Sequence, residues 1–226
     1  MKLAIFDLDD TLINFAATRQ VAYKELADLV HREGLDGARY IEACSLVDRP
    51  LFTLFEQGKL TRAQYRLQRF RDPFTHLGVA ARDDLVELLN KAFMDCVNDR
   101  PMLFDDVLPV LERLRALDIR TAILTNGPSD GQRRKLQATS LFDAVDEVAI
   151  GEEIGFSKPA PQAFRAVLDR FSLSEREALM VGDSPELDYD AARSAGLAAL
   201  LLDRDARHGQ GGRASIRTLA EVLAHA

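Results

Sequence analysis

Five short apolar runs set the terms on which this chain can fold: LAIF at 3–6, TAILT at 121–125, EVAI at 147–150, ALMVG at 178–182 and AALLL at 198–202. Each is bounded by turn-forming residues and shows no polar alternation, the pattern of a strand buried on both faces. Helical patterns stand beside the later runs. VLPVLERLRAL (107–117) is amphipathic, PSDGQRRKLQAT follows the second run, PAPQAFRAVLDRF opens with prolines suited to a first helical turn, and SPELDYDAARSAG stops on a glycine. Strands alternating with helices require right-handed crossovers, so the pattern predicts an α/β fold: a doubly wound, Rossmann-like parallel sheet.

The interval between the first and second runs is different. From about Asn14 to Asn98 the periodicity is helical throughout, as in TRQVAYKELADLVHREG, ending at Gly34, and ARDDLVELLNKAFMDCV. This predicts a small all-helical domain (14–99) inserted after the first strand of an α/β core (1–13 and 100–226), with NDRPMLF (98–104) as the return linker because Pro101 interrupts the helix. The glycine-rich HGQGGR (208–213) is expected to be a mobile loop.

Composition narrows the partners. A chain of 226 residues that is 47% apolar and 29% charged is neither disordered, collagen-like nor membrane-embedded. Its net charge of −7 argues against a nucleic-acid polymer but leaves small anions open, because they need only a local positive site. Leu3–Phe6 is too short for a signal peptide or a membrane span, so a cytoplasmic protein without a membrane partner is expected, a monomer or homodimer. Cys44 and Cys96 lack metal-type spacing and are expected to be buried thiols.

In open α/β sheets ligands sit beyond the carboxyl ends of the strands. Here those ends read Asp7-Leu8-Asp9, Thr125-Asn126 and Gly182-Asp183-Ser184, with Asp188 five residues after Asp183 and Lys158 ahead of the helix that follows the third strand. In extended chain, Asp7 and Asp9 face the same side and Asp10 another. With Asp183 from a neighbouring strand they would make an oxygen nest suited to a hard divalent cation such as Mg2+. Asn-Gly at 126–127 is a hairpin signal, yet a polar helical segment follows it instead of a strand. A strand-to-helix turn of that kind suits a phosphate.

FDLDDTL, ILTNG, SKP and GDSPELD, in that order, resemble the four motifs of the haloacid dehalogenase superfamily of aspartate-nucleophile phosphohydrolases. The resemblance spans essentially the whole chain, and the insertion resembles the helical cap of members whose lid lies between the first and second motifs. It implies that Asp7 attacks phosphorus to form an aspartyl-phosphate and that Asp9 protonates the departing oxygen and then activates water. Thr125 and Asn126 would bind phosphoryl oxygens and Lys158 would neutralise charge. Mg2+ would be held by the Asp7 carboxylate, the Asp9 carbonyl and Asp183, while Asp188 would orient Lys158 or water ligands. Members that cleave carbon–halogen bonds lack an acid two residues after the nucleophile, so Asp9 implies phosphoryl transfer.

The resemblance therefore implies a phosphatase acting on a small phosphorylated metabolite; the alternatives are a phosphomutase of the same fold or a non-catalytic binder of phosphorylated ligands. Within the cap, LTRAQYRLQRF (60–70) places Leu60, Ala63, Leu67 and Phe70 on one helical stripe and Arg62, Arg66 and Arg69 on another face. That arginine face would either approach an anionic substrate or be solvated. QGKLT (57–61) and Asn14-Phe15 are similar to nucleotide 5'-monophosphate phosphatases of the superfamily, whereas Asp10 stands where relatives often carry glycine and is expected to shape the turn through bonds to local backbone.

Overall fold

The computed structural model describes residues 1–208 and 212–226. The centre of the HGQGGR segment, 209–211, lies outside the described residues. The chain forms two compact units, Met1–Ala16 with Pro101–Ala226, and Ala17–Arg100.

The first unit is built on a sheet that has six strands among the described residues: β1 (Leu3–Phe6), β2 (Arg120–Thr125), β3 (Glu147–Ile150), β4 (Ala178–Gly182), β5 (Ala198–Leu202) and β6 (Ser215–Ile216). Their order is β3-β2-β1-β4-β5-β6, and every pair is parallel. Five of them coincide with the apolar runs. The sixth was not expected, because two residues offer no periodicity to read.

Alternation along β1 explains why its run is continuous. Leu3 and Ile5 enter one core with Leu124, Phe164, Val167 and Met180, whereas Ala4 and Phe6 enter the other with Leu111, Leu114, Ile123 and Val181. A strand buried on both faces has no solvent side on which to place polar residues. Phe6 pairs with Ile123 of β2 and Val181 of β4, so β1 lies at the centre of the sheet with its carboxyl end between two neighbours. The strand order changes direction there, the place where such sheets bind ligands.

The second unit is helical: most of α1 (Phe15–Arg32), then α2 (Gly37–Glu56), α3 (Arg62–His76) and α4 (Asp83–Asp99); the chain then returns to the first unit, where α5 (Val107–Ala116) precedes β2. Helix α3 starts on a capping box in which Thr61 and Gln64 satisfy each other's backbone amides, the expected use of Thr at an N-cap with Gln three residues on. Its inner face carries Phe70, Pro73 and Phe74. Tyr40 is fully buried against Phe74, with ring centroids 4.8 Å apart, and its hydroxyl donates to the Phe70 carbonyl at 2.6 Å. Buried aromatic hydroxyls need such a partner. Both cysteines are buried and free.

The Tyr40 bond is testable. Tyr40→Phe keeps the ring and removes one buried hydrogen bond, and should destabilise the protein by about 1 kcal/mol. Thermal denaturation should show a fall of roughly 2–4 °C; an unchanged midpoint would mean that the hydroxyl contributes nothing to α2–α3 packing.

Candidate active site

Asp7 is the first residue beyond β1, and its amide N–H still donates to the Val181 carbonyl at 3.0 Å. The sheet therefore fixes its backbone. Its carboxylate meets Lys158: Nζ lies 2.6 Å from Asp7 Oδ1 and 2.6 Å from Asp188 Oδ1. All three side chains are buried, Lys158 at 4% and Asp188 at 1% exposure. A lone ammonium would be expelled from such a place, and two carboxylates retain it. Burial pulls the Lys158 amine down, but Asp7 and Asp188 outweigh it and hold the group above its ordinary range.

The surroundings fix this pair of bonds. Asn126, at the end of β2, grips the backbone of Lys158 from both sides, its Nδ2 donating to the Lys158 carbonyl at 2.6 Å and its Oδ1 accepting from the Lys158 amide at 2.8 Å. One Nδ2 hydrogen and the Oδ1 of Asn126, a residue expected at phosphoryl oxygens, thus serve the Lys158 backbone. Asp188 is set by a π-type turn, Pro185–Asp190, where its Oδ2 accepts from the Ser184 amide at 3.0 Å. Gly182 makes room for it: a Cβ there would stand 2.3 Å from Asp188 Cγ.

Thr125 is buried, and its Oγ1 accepts from the Gly127 amide at 3.3 Å and from Gln132 Nε2 at 2.7 Å. With both lone pairs used, the hydroxyl hydrogen is left to donate, which suits a phosphoryl oxygen. Thr11 ties the loop after β1 to the end of β4 by accepting from the Asp183 amide at 3.1 Å, and Arg204 holds the Thr11 carbonyl while paired with Asp106.

Asp9 faces other partners. Lys135 Nζ lies 2.6 Å from its Oδ1 and Gln132 Nε2 lies 3.0 Å from its Oδ2. The two acids expected to share one object thus each hold an ammonium of their own. Gln132 and Lys135 were missed in the sequence, although a signal existed. In the polar helix α6 (Ser129–Ala138), they lie three apart on the face of Leu136, the only large apolar residue. Asp10 adopts a left-handed conformation, φ 59°, and its Oδ1 accepts from the Ala16 amide at 2.9 Å, in line with a turn-shaping role.

In the helical unit, the arginines do not form a uniform polar face. Arg62, Arg66 and Arg69 are all half-buried, while Ala63 of the expected apolar stripe is exposed. The Arg69 guanidinium lies 4.4 Å from the Phe93 ring centroid and 4.7 Å from that of Phe70, and it donates to Met94 Sδ. A planar, weakly hydrated cation packs well on aromatic faces.

Oxygens of Asp7, Asp183 and Asp188 lie within 4.8 Å of one another. Three acids share one ammonium, so the site carries excess negative charge. Burial, with the charges of Asp188 and Asp10, pushes Asp183 up to about 7. Burial likewise raises Asp7 despite Lys158, with Asp188 and Asp183 adding to the shift. An all-oxygen set short of positive charge fits Mg2+.

The model of the haloacid dehalogenase-like hydrolases matches residues 1–196. The chain belongs to this family. It is 31% identical to the phosphoserine phosphatase of Thermus thermophilus over 92% of this chain and 90% of that one. It is 28% identical to the pyrimidine 5'-nucleotidase YjjG of Escherichia coli, over 96% and 92%. The structure of the HAD-hydrolase YfnB from Bacillus subtilis, bound to magnesium, superposes with a TM-score of 0.79 at 25% identity, covering 99% of this chain and 97% of that one. The protein is thus an enzyme of the phosphatase type within the haloacid dehalogenase-like hydrolases. No helix among the described residues is long and apolar enough to cross a membrane.

Two measurements probe the site. Gly182→Ala should displace Asp188, release Lys158 and lower kcat/KM at least about tenfold, since a misplacement of about 1 Å can cost 10²-fold; an unaffected enzyme would show that the Asp188–Lys158 contact is dispensable. Asp7 and Asp183, raised above their unfolded values, keep protons that the unfolded chain loses from about pH 4 upward, so without metal stability falls as pH rises toward 7. Mg2+ should therefore raise the melting temperature more at pH 8 than at pH 5. Asp183→Asn should raise the metal-free value at pH 8 and remove most of the Mg2+ effect, and equal Mg2+ shifts at both pH values would contradict this account.

Proposed function

We propose that the protein is a Mg2+-dependent phosphomonoesterase that acts through an aspartyl-phosphate on small phosphorylated metabolites, with nucleoside 5'-monophosphates as the substrate class. The observation that carries the mechanism is the buried Asp7–Lys158–Asp188 array, which presents a carboxylate held in one place beside a fixed positive charge.

A carboxylate approaching a phosphate dianion meets like charge, and catalysis depends on compensating cations and on orientation. Lys158 contributes one cation, set by Asp188 and Asn126. Asp7, Asp183 and the Asp9 carbonyl would hold Mg2+, with Asp188 beside them; bound there, the ion supplies further positive charge against the phosphate. Thr125 offers its free hydroxyl hydrogen to a phosphoryl oxygen. Asp7 attacks phosphorus while the leaving oxygen takes a proton from Asp9. Water then attacks the aspartyl-phosphate with Asp9 accepting its proton, and phosphate leaves Asp7. The helical unit, acting as a cap, would select the substrate and exclude water during the first step.

The nucleotide reading is supported by QGKLT and Asn14-Phe15 and by the likeness to a pyrimidine 5'-nucleotidase. The phosphoserine phosphatase at 31% identity favours a second reading, a small amino-acid phosphate. A panel of UMP, dTMP, AMP, phosphoserine and glycerol phosphates, assayed with Mg2+ for free phosphate, separates them; a kcat/KM for phosphoserine above that of every nucleotide would replace the first reading. Release of phosphate without a bisphosphate cofactor excludes a phosphomutase, and inertness toward the whole panel would favour a binding protein. Asp7→Asn should abolish turnover while ligand binding persists. Asp9→Asn should slow turnover by about 10² to 10⁴, and chelation of Mg2+ should silence the enzyme reversibly.

A further inference from the structure

Helix α6 is anomalous for an element packed on a core, because beside Leu136 it buries a glutamine and a lysine, Gln132 at 1% and Lys135 at 5% exposure. Burying an amide and an ammonium is unfavourable unless each is partnered. The partner they share is Asp9, gripped by Lys135 on Oδ1 and by Gln132 on Oδ2. Gln132 spends its second amide hydrogen on Thr125 Oγ1, so one side chain joins the Asp9 carboxylate to the end of β2. Its seat depends on a missing side chain, for a Cβ on Gly127 would stand 2.1 Å from Gln132 Nε2. The Phe15 ring, with its centroid 4.6 Å from Lys135 Nζ, covers the ammonium.

We propose that Gln132 and Lys135 are positioning residues for proton transfer, which fix Asp9 by both oxygens in one orientation relative to the phosphate-binding Thr125. The inference rests on the reading of Asp9 as acid and base. In the first step, the P–O bond to the leaving group breaks, its electron pair stays on the leaving oxygen, and that oxygen takes the Asp9 proton. In the second, Asp9 takes a proton from water as the new P–O bond forms and the bond to Asp7 breaks. An unsupported aspartate turns freely about two side-chain bonds, and transfer needs it within hydrogen-bond reach of the right oxygen. Two donors from one helix remove that freedom while leaving lone pairs on both oxygens for the travelling proton.

The test compares phenyl phosphate with p-nitrophenyl phosphate, esters of similar shape whose leaving groups differ in their need for a proton. The quantity is kcat/KM with Mg2+, which covers the steps up to departure of the leaving group. In Gln132→Met and Lys135→Met, phenyl phosphate should lose about tenfold or more, a part of what a positioned acid contributes, and p-nitrophenyl phosphate about threefold at most. The ratio is insensitive to folding, because inactive protein lowers both substrates equally. Asp9→Asn sets the scale and should discriminate more steeply. If Asp9→Asn discriminates but neither Met variant does, the positioning role is overturned while Asp9 keeps its own. If Asp9→Asn treats the two esters alike, the acid role falls and the positioning role with it.

Discussion

The site depends on one buried ammonium. Lys158 Nζ lies at 2.6 Å from both Asp7 and Asp188, in a place where an unpaired charge would be expelled. Much of the surrounding sequence serves that contact. Asn126 holds the Lys158 backbone, the turn at Ser184 holds Asp188, and the absence of a side chain at Gly182 lets Asp188 approach β4. A buried ion pair of this kind is a poor source of stability compared with apolar packing. Its effect is orientation, because it fixes the Asp7 carboxylate in one place, as the proposed mechanism would need.

The same array explains why a cation belongs there. Asp7, Asp183 and Asp188 converge on one ammonium, and burial, with the repulsion among these acids added to it, raises Asp7 and Asp183 toward the protonated form. On the proposed mechanism, a protonated Asp7 would be a weak nucleophile. The proposed mechanism would therefore tie activity to a further positive charge: the acids that repel one another are those that would bind it.

The strand ends were readable because burial on both faces leaves a run such as LAIF or ALMVG without polar interruption, and an acid at the end of such a run stands out. The helical insertion was readable for the opposite reason, since long amphipathic segments repeat their pattern many times. What escaped has physical causes. Strand β6 is two residues long and shows no period. Gln132 and Lys135 hide within a segment whose polarity suggests a solvated face, and only the isolation of Leu136 hints that polar groups must fill the interior. Arg69 reads as a cation facing either an anionic substrate or solvent, and the sequence shows no sign that its guanidinium lies against Phe70 and Phe93. In each case tertiary partners decided what local pattern left open.

Three aspartates crowded into FDLDDTL end in three electrostatic settings. Asp7 is matched by Lys158, Asp9 by Lys135 and Gln132, and Asp10 by the Ala16 amide in a left-handed turn. The left-handed conformation costs a non-glycine residue roughly 1–2 kcal/mol. It also turns the chain immediately after Asp9, so that Leu12 and Ile13 donate their amides back to the Leu8 carbonyl. The close spacing that looks repulsive in sequence is tolerated because the backbone reverses within it. Each carboxylate then meets donors from a different part of the fold: the turn before Pro159, helix α6, and the first turn of α1.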